Sequence, residues 1–135
     1  ADTDGIATLL GELRGETVDS QQITESLHTI VSDDDRDCIV IVDNDSLVAC
    51  CVVTIVHKLP KREVRIDEVI VSESVRGKGL GTQLIHAAET WAQQHHGDVI
   101  EFTSRPARES ANHLYQKLGY HIRETNVYQK NKEDF

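Results

Sequence analysis

The stretch Val69-Ile70-Val71-Ser72-Glu73-Ser74-Val75-Arg76-Gly77-Lys78-Gly79-Leu80-Gly81-Thr82 restricts the fold more than any other part of the chain. It passes from an apolar, β-branched strand through a glycine-interrupted turn into a helix, which leaves a row of backbone N–H groups free where the helix begins. Such a row binds phosphate. Gly77, Gly79 and Gly81 let the main chain approach a ligand with no Cβ in the way, and Arg76 and Lys78 supply positive charge for a diphosphate.

Hydrophobic periodicity places the other elements around this turn. Thr3 or Asp4 caps a first helix with Ile6, Leu9, Leu10 and Leu13 on one face and Gly15 as its stop. Asp19 or Ser20 caps a second, with Ile23, Leu27, Ile30 and Val31 on its apolar side. The run Ser32-Asp33-Asp34-Asp35-Arg36-Asp37 is a solvated loop; it lacks the glycine and terminal glutamate of a calcium loop. Cys38 to Val42 and Leu47 to Leu59 form an antiparallel hairpin about Asp43-Asn44-Asp45-Ser46, and Glu63 to Val71 follows after Pro60-Lys61-Arg62. Strict alternation puts Val64, Ile66, Glu68 and Ile70 on one face of that strand and Arg65, Asp67, Val69 and Val71 on the other.

The next helix, from about Gly79 to His96, buries Leu84, Ile85, Ala88, Trp91 and Ala92 and stops at Gly97. A strand over Asp98 to Ser104 precedes a helix opened by Pro106, with Ala111, Leu114, Tyr115 and Leu118 on one face and Gly119 as its end. A last strand is expected from Tyr120 to Tyr128, with a frayed tail from Gln129 to Phe135. The order of elements is that of an α/β (α+β) chain, and 135 residues make one domain, residues 1–135.

Composition narrows the partners. A net charge of −9 argues against nucleic acid and suits a cationic substrate as well as plain solubility. The longest uninterrupted apolar run, Leu47 to Val53, is far short of the ~20 residues a membrane span needs. Three cysteines, two of them adjacent, fit neither a disulfide framework nor a metal site and point to a reduced, cytoplasmic setting. The histidines form no metal spacing. With no methionine in the chain, Ala1 is not expected to be the translation start.

Arg76, Gly79 and Gly81, together with the later Leu114-Tyr115-Gln116-Lys117-Leu118-Gly119-Tyr120, resemble the GNAT superfamily of acetyl-coenzyme-A-dependent N-acetyltransferases, and the likeness extends over nearly the whole chain. The resemblance implies an acyl-coenzyme-A N-acyltransferase fold, a mixed, mostly antiparallel sheet flanked by helices. That fold normally begins with one more strand, which this chain is expected to lack. It also implies a co-substrate, acetyl-coenzyme A, whose pantetheine arm pairs with the backbone of Val69, Ile70 and Val71. The diphosphate then rests on Gly77, Lys78, Gly79, Leu80, Gly81 and Thr82, with Arg76 and Lys78 as counter-charges and Lys117 toward the outer phosphate. Arg108 stands where relatives commonly carry an asparagine, and Asn112 or Ser104 is the candidate to replace that contact.

Acetyl transfer to an amine needs a base for the amine proton and an acid for the departing thiolate. Glu68, directly or through water, is the candidate base; pairing with Arg65 is its other reading, and Asp67 is the rival if the register shifts by one. Tyr115 is the candidate acid, because a phenol with pKa of ~10 keeps its proton at neutral pH; packing is its other reading. The expected activity is acetyl transfer to a small-molecule primary amine by direct attack on the thioester. A protein or peptide lysine or N-terminal acetyltransferase and a non-catalytic acyl-coenzyme-A sensor are the alternatives. Relatives of this kind are often homodimers.

Overall fold

The computed structural model describes residues 3–14 and 18–135. Helix α1 spans Thr3–Arg14 and α2 Ser20–Val31; β1 (Arg36–Asp43), β2 (Ser46–His57) and β3 (Arg62–Val71) follow. A 3-10 turn, Glu73–Val75, leads to α3 (Leu80–Gln94), β4 (Val99–Glu101), α4 (Glu109–Lys117) and a last 3-10 turn, Lys132–Asp134. Two compact units result, Ala1–Thr103 and Ser104–Phe135.

The first unit holds a four-stranded sheet in the order β1-β2-β3-β4, antiparallel except for the parallel pair β3–β4. This is the mixed, mostly antiparallel sheet flanked by helices that the resemblance implied. The β1–β2 turn is tight because Asn44 and Asp45 both take positive φ, 49° and 63°, which matches the twist of the flanking strands. At the start of α2 the Asp19 carboxylate accepts the Gln21 N–H at 2.9 Å. Ile6, Leu9 and Leu10 of α1 are buried as expected, and Ile23 and Leu27 of α2 pack at the edge of the same cluster. The proposed stop at Gly15 lies outside the described residues, as do the side chains of Thr3 and Leu13. Val31, placed by periodicity on the apolar side of α2, is 56% exposed.

Strand β3 departs from strict alternation. Cys50 stands opposite Ile70 and Val52 opposite Asp67, so the single residue Cys51 faces both Glu68 and Val69. That is a β-bulge, and Glu68 takes φ 54° to make it. The extra residue reverses the parity of the strand. Ile70 joins Cys50 in the cluster of α1, whereas Val64 lies against the end of α3, where a Cβ on Gly97 would stand 2.6 Å from its Cγ2. Val64 and Ile70, expected on one face, therefore serve opposite faces of the sheet.

The same contact corrects the end of α3. The left-handed residue there is His96, φ 58°, and its N–H and that of Gly97 bond to Gln93 O and Ala92 O at 3.2 and 2.8 Å. Gly97 is required by the closeness of Val64 and not by its own backbone angle.

At the start of the parallel ladder the fully buried Glu63 is paired. Lys58 Nζ lies 2.8 Å from its Oε1, and Arg65 donates to Oε2 at 3.3 Å. The Lys58 ammonium, aided by Arg65, holds this carboxyl below the usual carboxylate range against the opposing effect of burial.

In the second unit Gly119, φ 98°, closes α4 as expected. Its N–H bonds to Gln116 O at 3.1 Å, and that of Tyr120 bonds to Tyr115 O at 3.0 Å. The expected strand from Tyr120 to Tyr128 does not form, and β4 is three residues long where seven were expected. Ile122, Thr125, Val127 and Tyr128 favour β structure, but a strand exists only through a ladder, and among the described residues none is built on this segment.

Two outcomes follow from the sheet. Glu68→Gly should be more stable than Glu68→Ala by about 1 kcal/mol, because only glycine enters a left-handed φ without strain; equal urea midpoints would refute the bulge. The stability that Glu63 contributes is fully present above the ordinary glutamate pKa of ~4.3 and is lost as pH falls through its depressed native value. Thermal melts below about pH 4 should show that loss in the native protein and a flatter profile in Glu63→Gln.

Candidate active site

The end of β3 is shaped by where its neighbours stop. Ser72 N–H bonds to Val48 O at 2.8 Å, and by the alternation of an antiparallel ladder the N–H and C=O of the preceding residue, Val71, point away from β2. On that outer side β4 pairs only with Glu63, Val64 and Arg65. Among the described residues, no strand pairs with the outer edge of β3 beyond Arg65. Ile70 differs from Val71, since it pairs toward Cys50 on β2 and buries its side chain against α1.

After Val71 the chain turns through Glu73–Val75 and enters α3 by way of Gly77 and Gly79, at φ 82° and 77°. A Cβ at either position would meet nothing within 4 Å, so the backbone angle alone demands glycine. Among the described residues, no acceptor takes the N–H groups of residues 77 to 82; the first paired amide is that of Gln83, on Gly79 O at 3.1 Å. Thr82 and Leu80 are half-buried, and Gly77, Lys78 and Gly79 are exposed. The helix start therefore presents its amides to solvent, the arrangement that receives an anion.

Arg76 is held weakly. Its Nε donates to Val71 O at 3.4 Å and its NH1 lies 3.7 Å from Glu73 Oε1, both groups being exposed. Exposed pairs of this kind contribute little, so the guanidinium is free to turn to a phosphate. Among the described residues Lys78 has no ion-pair partner. A residue not expected from the sequence braces this turn: Glu12 of α1 accepts the Glu73 N–H at 3.3 Å and the Ser72 hydroxyl at 3.5 Å. Periodicity could not reveal it, because Glu12 lies on the polar side of α1 and its partners are distant in sequence.

Glu68 is exposed at the bulge, and its carbonyl receives the weak Cys50 S–H contact at 4.0 Å. Asp67 is exposed as well. Burial pushes the thiols of Cys50 and Cys51 up to about 12 and raises that of Cys38, so all three stay protonated at neutral pH and are poor nucleophiles. His57 is tied to Asp35 at 2.8 Å.

The remaining candidates belong to the second unit. Tyr115 is buried on α4 and Lys117 is exposed in its last turn. Asn112 Nδ2 donates to Arg105 O at 2.8 Å, which leaves its Oδ1 as the group available to a ligand. Ser104 Oγ is buried.

The model of the Acetyltransferase (GNAT) family matches residues 5–120. No curated protein matches the chain significantly. Among solved structures, a transcriptional regulator from Bacillus halodurans C-125 superposes with a TM-score of 0.88 at 20% identity, over 96% of this chain and 93% of that one. An aminoglycoside N-acetyltransferase in complex with CoA gives 0.82 at 14% identity, over 97% and 89%. A ribosomal-protein-alanine N-acetyltransferase from Brucella melitensis biovar Abortus 2308 gives 0.78 at 16% identity, over 96% and 92%. At these identities the likeness establishes a shared fold, and no helix among the described residues is long and apolar enough to cross a membrane.

Proposed function

Because the chain belongs to the GNAT acetyltransferase family, whose members take their acetyl group from acetyl-coenzyme A, we propose that it transfers that group to a small primary amine by direct attack of the amine on the thioester. The row of unpaired amides over residues 77–82, directly after a strand with an open outer edge, is the observation that carries this reading. In it the diphosphate is held by those amides with Arg76 and Lys78, and the pantetheine arm lies along Val69 to Val71, chiefly on the polar groups of Val71. Asn112, through its Oδ1, and Lys117 complete the donor contacts.

In the transfer, the amine nitrogen forms a bond to the carbonyl carbon as the C–S bond breaks. Glu68, itself or through a water, takes the amine proton, because a free alkylamine with pKa near ~10.4 is protonated at neutral pH. Tyr115 gives its phenolic proton to the leaving thiolate. A direct mechanism is supported by the raised thiol pKa values, since a covalent acetyl-cysteine would need a thiolate. The net charge of −9 agrees with a cationic acceptor.

Thiol release from acetyl-coenzyme A in the presence of amines, polyamines, aminoglycosides, aminoalkylphosphonates and peptides tests the reading. Consumption with a small amine is expected. Turnover with peptides alone would reassign the acceptor to protein, and coenzyme A binding without any turnover would indicate a sensor. Tyr115→Phe should lower turnover at least tenfold, on the order of the usual contribution of a general acid, with little change in coenzyme A affinity; unchanged turnover removes Tyr115 from the mechanism. Gly79→Asp should act on affinity instead, because it places a carboxylate and a strained φ where phosphate is held. Titration calorimetry with coenzyme A reads that loss.

A further inference from the structure

Helix α1 meets the end of β3 at two levels. On its apolar side Ile6, Leu9 and Leu10 share a buried cluster with Cys50 and Ile70. From its polar side Glu12 reaches a little further along the same chain, where Oε2 accepts the Glu73 N–H at 3.3 Å and Oε1 the Ser72 hydroxyl at 3.5 Å. Ser72 is buried, its N–H goes to Val48 O at 2.8 Å, and its C=O accepts the Val75 N–H at 3.1 Å. Glu12 therefore grips the residue where the ladder ends and the 3-10 turn begins. Its second partner, Glu73, carries the carboxylate that lies 3.7 Å from Arg76 NH1. A carboxylate beside a turn that is to receive a diphosphate opposes the anion by its field, so what Glu12 offers there is its hydrogen bonds and not its charge.

We infer that Glu12 is a positioning residue of the donor site. By holding Ser72 and Glu73 against α1 it sets the direction in which the chain leaves β3, and with it the placement of Arg76 and of the amides over residues 77–82. The inference rests on the donor reading above and adds to it a residue that acts only through the turn. Its physical basis is preorganisation. Between Ser72 and Leu80 no ladder orders the chain, and Gly77 and Gly79 give this segment more conformational freedom to lose. A ligand that needs several amides at once binds tightly only where they are ordered before it arrives. Two hydrogen bonds from a helix that is itself anchored on Ile70 supply part of that order.

The test is calorimetric binding of coenzyme A to the full chain, at a temperature well below the melting of each variant. Glu12→Ala should weaken binding by about three- to tenfold, the size of one or two hydrogen bonds. Glu12→Gln keeps an oxygen for the Glu73 N–H and turns its NH2 group to the Ser72 oxygen, so it should stay within about twofold of the native affinity. A role as charge alone predicts the opposite sign, because both substitutions remove a negative group from a protein that binds a polyanion and would tighten binding alike. A role in stability alone would lower the melting temperature and leave the affinity of the folded protein as it is. Glu12 is exposed, so its truncation should not prevent folding; Glu12→Ser, too short to reach either partner, is the second truncation. Affinity unchanged or raised in the truncated variants, or Glu12→Gln as weak as Glu12→Ala, overturns the inference and leaves the donor reading standing. A native protein that does not bind coenzyme A overturns both.

Discussion

One surplus residue on β3, opposite Cys51, governs the geometry of the first unit. The bulge at Glu68 and Val69 reverses which side of the sheet the strand's last residues serve, so Ile70 fills the cluster under α1 while Val64 fills the one under α3. Without it, either Ile70 or Val64 would face the wrong helix. The left-handed backbone of Glu68 stores strain of about 1–2 kcal/mol, and the burial of Ile70 and Cys50 on the α1 side offsets it.

A second constraint is the shortness of the β3–β4 ladder. Parallel neighbours that paired along their whole length would consume every outward N–H and C=O of β3. Because pairing stops at Arg65, no β4 residue takes the outward polar groups of Val71, whose C=O meets the Arg76 Nε at 3.4 Å, and the helix beginning at Leu80 adds unpaired amides a few residues later. Glu12 fastens the turn between these two features to α1, through Ser72 and Glu73. The strand edge and the helix start are thereby held in one framework by ladder bonds, helix packing and a single carboxylate.

The charged groups of this framework divide by burial. Glu63 is sealed among cations and its carboxylate is favoured by them, so its role is to hold strands. Arg76 and Lys78 are exposed and loosely held, so their side chains are free to reorient. The thiols are buried without a cation nearby and stay neutral, which makes them packing groups.

The sequence by itself determined what is local. The turn into α3 follows from glycines that positive φ requires at 77 and 79, the helical stripes from a period of 3.6, and the ends of α2 and α4 from Asp19 and Gly119. Tertiary structure alone decided what depends on distant partners. A bulge is a mismatch between two strands, so no reading of β3 alone could find the extra residue at Glu68. The length of β4, the unladdered segment after Tyr120 and the brace at Glu12 likewise depend on which backbone or side-chain groups lie alongside. Even the glycine at 97, legible as a helix stop, owes its identity to Val64 standing against it, because van der Waals exclusion acts between residues that only the fold brings together.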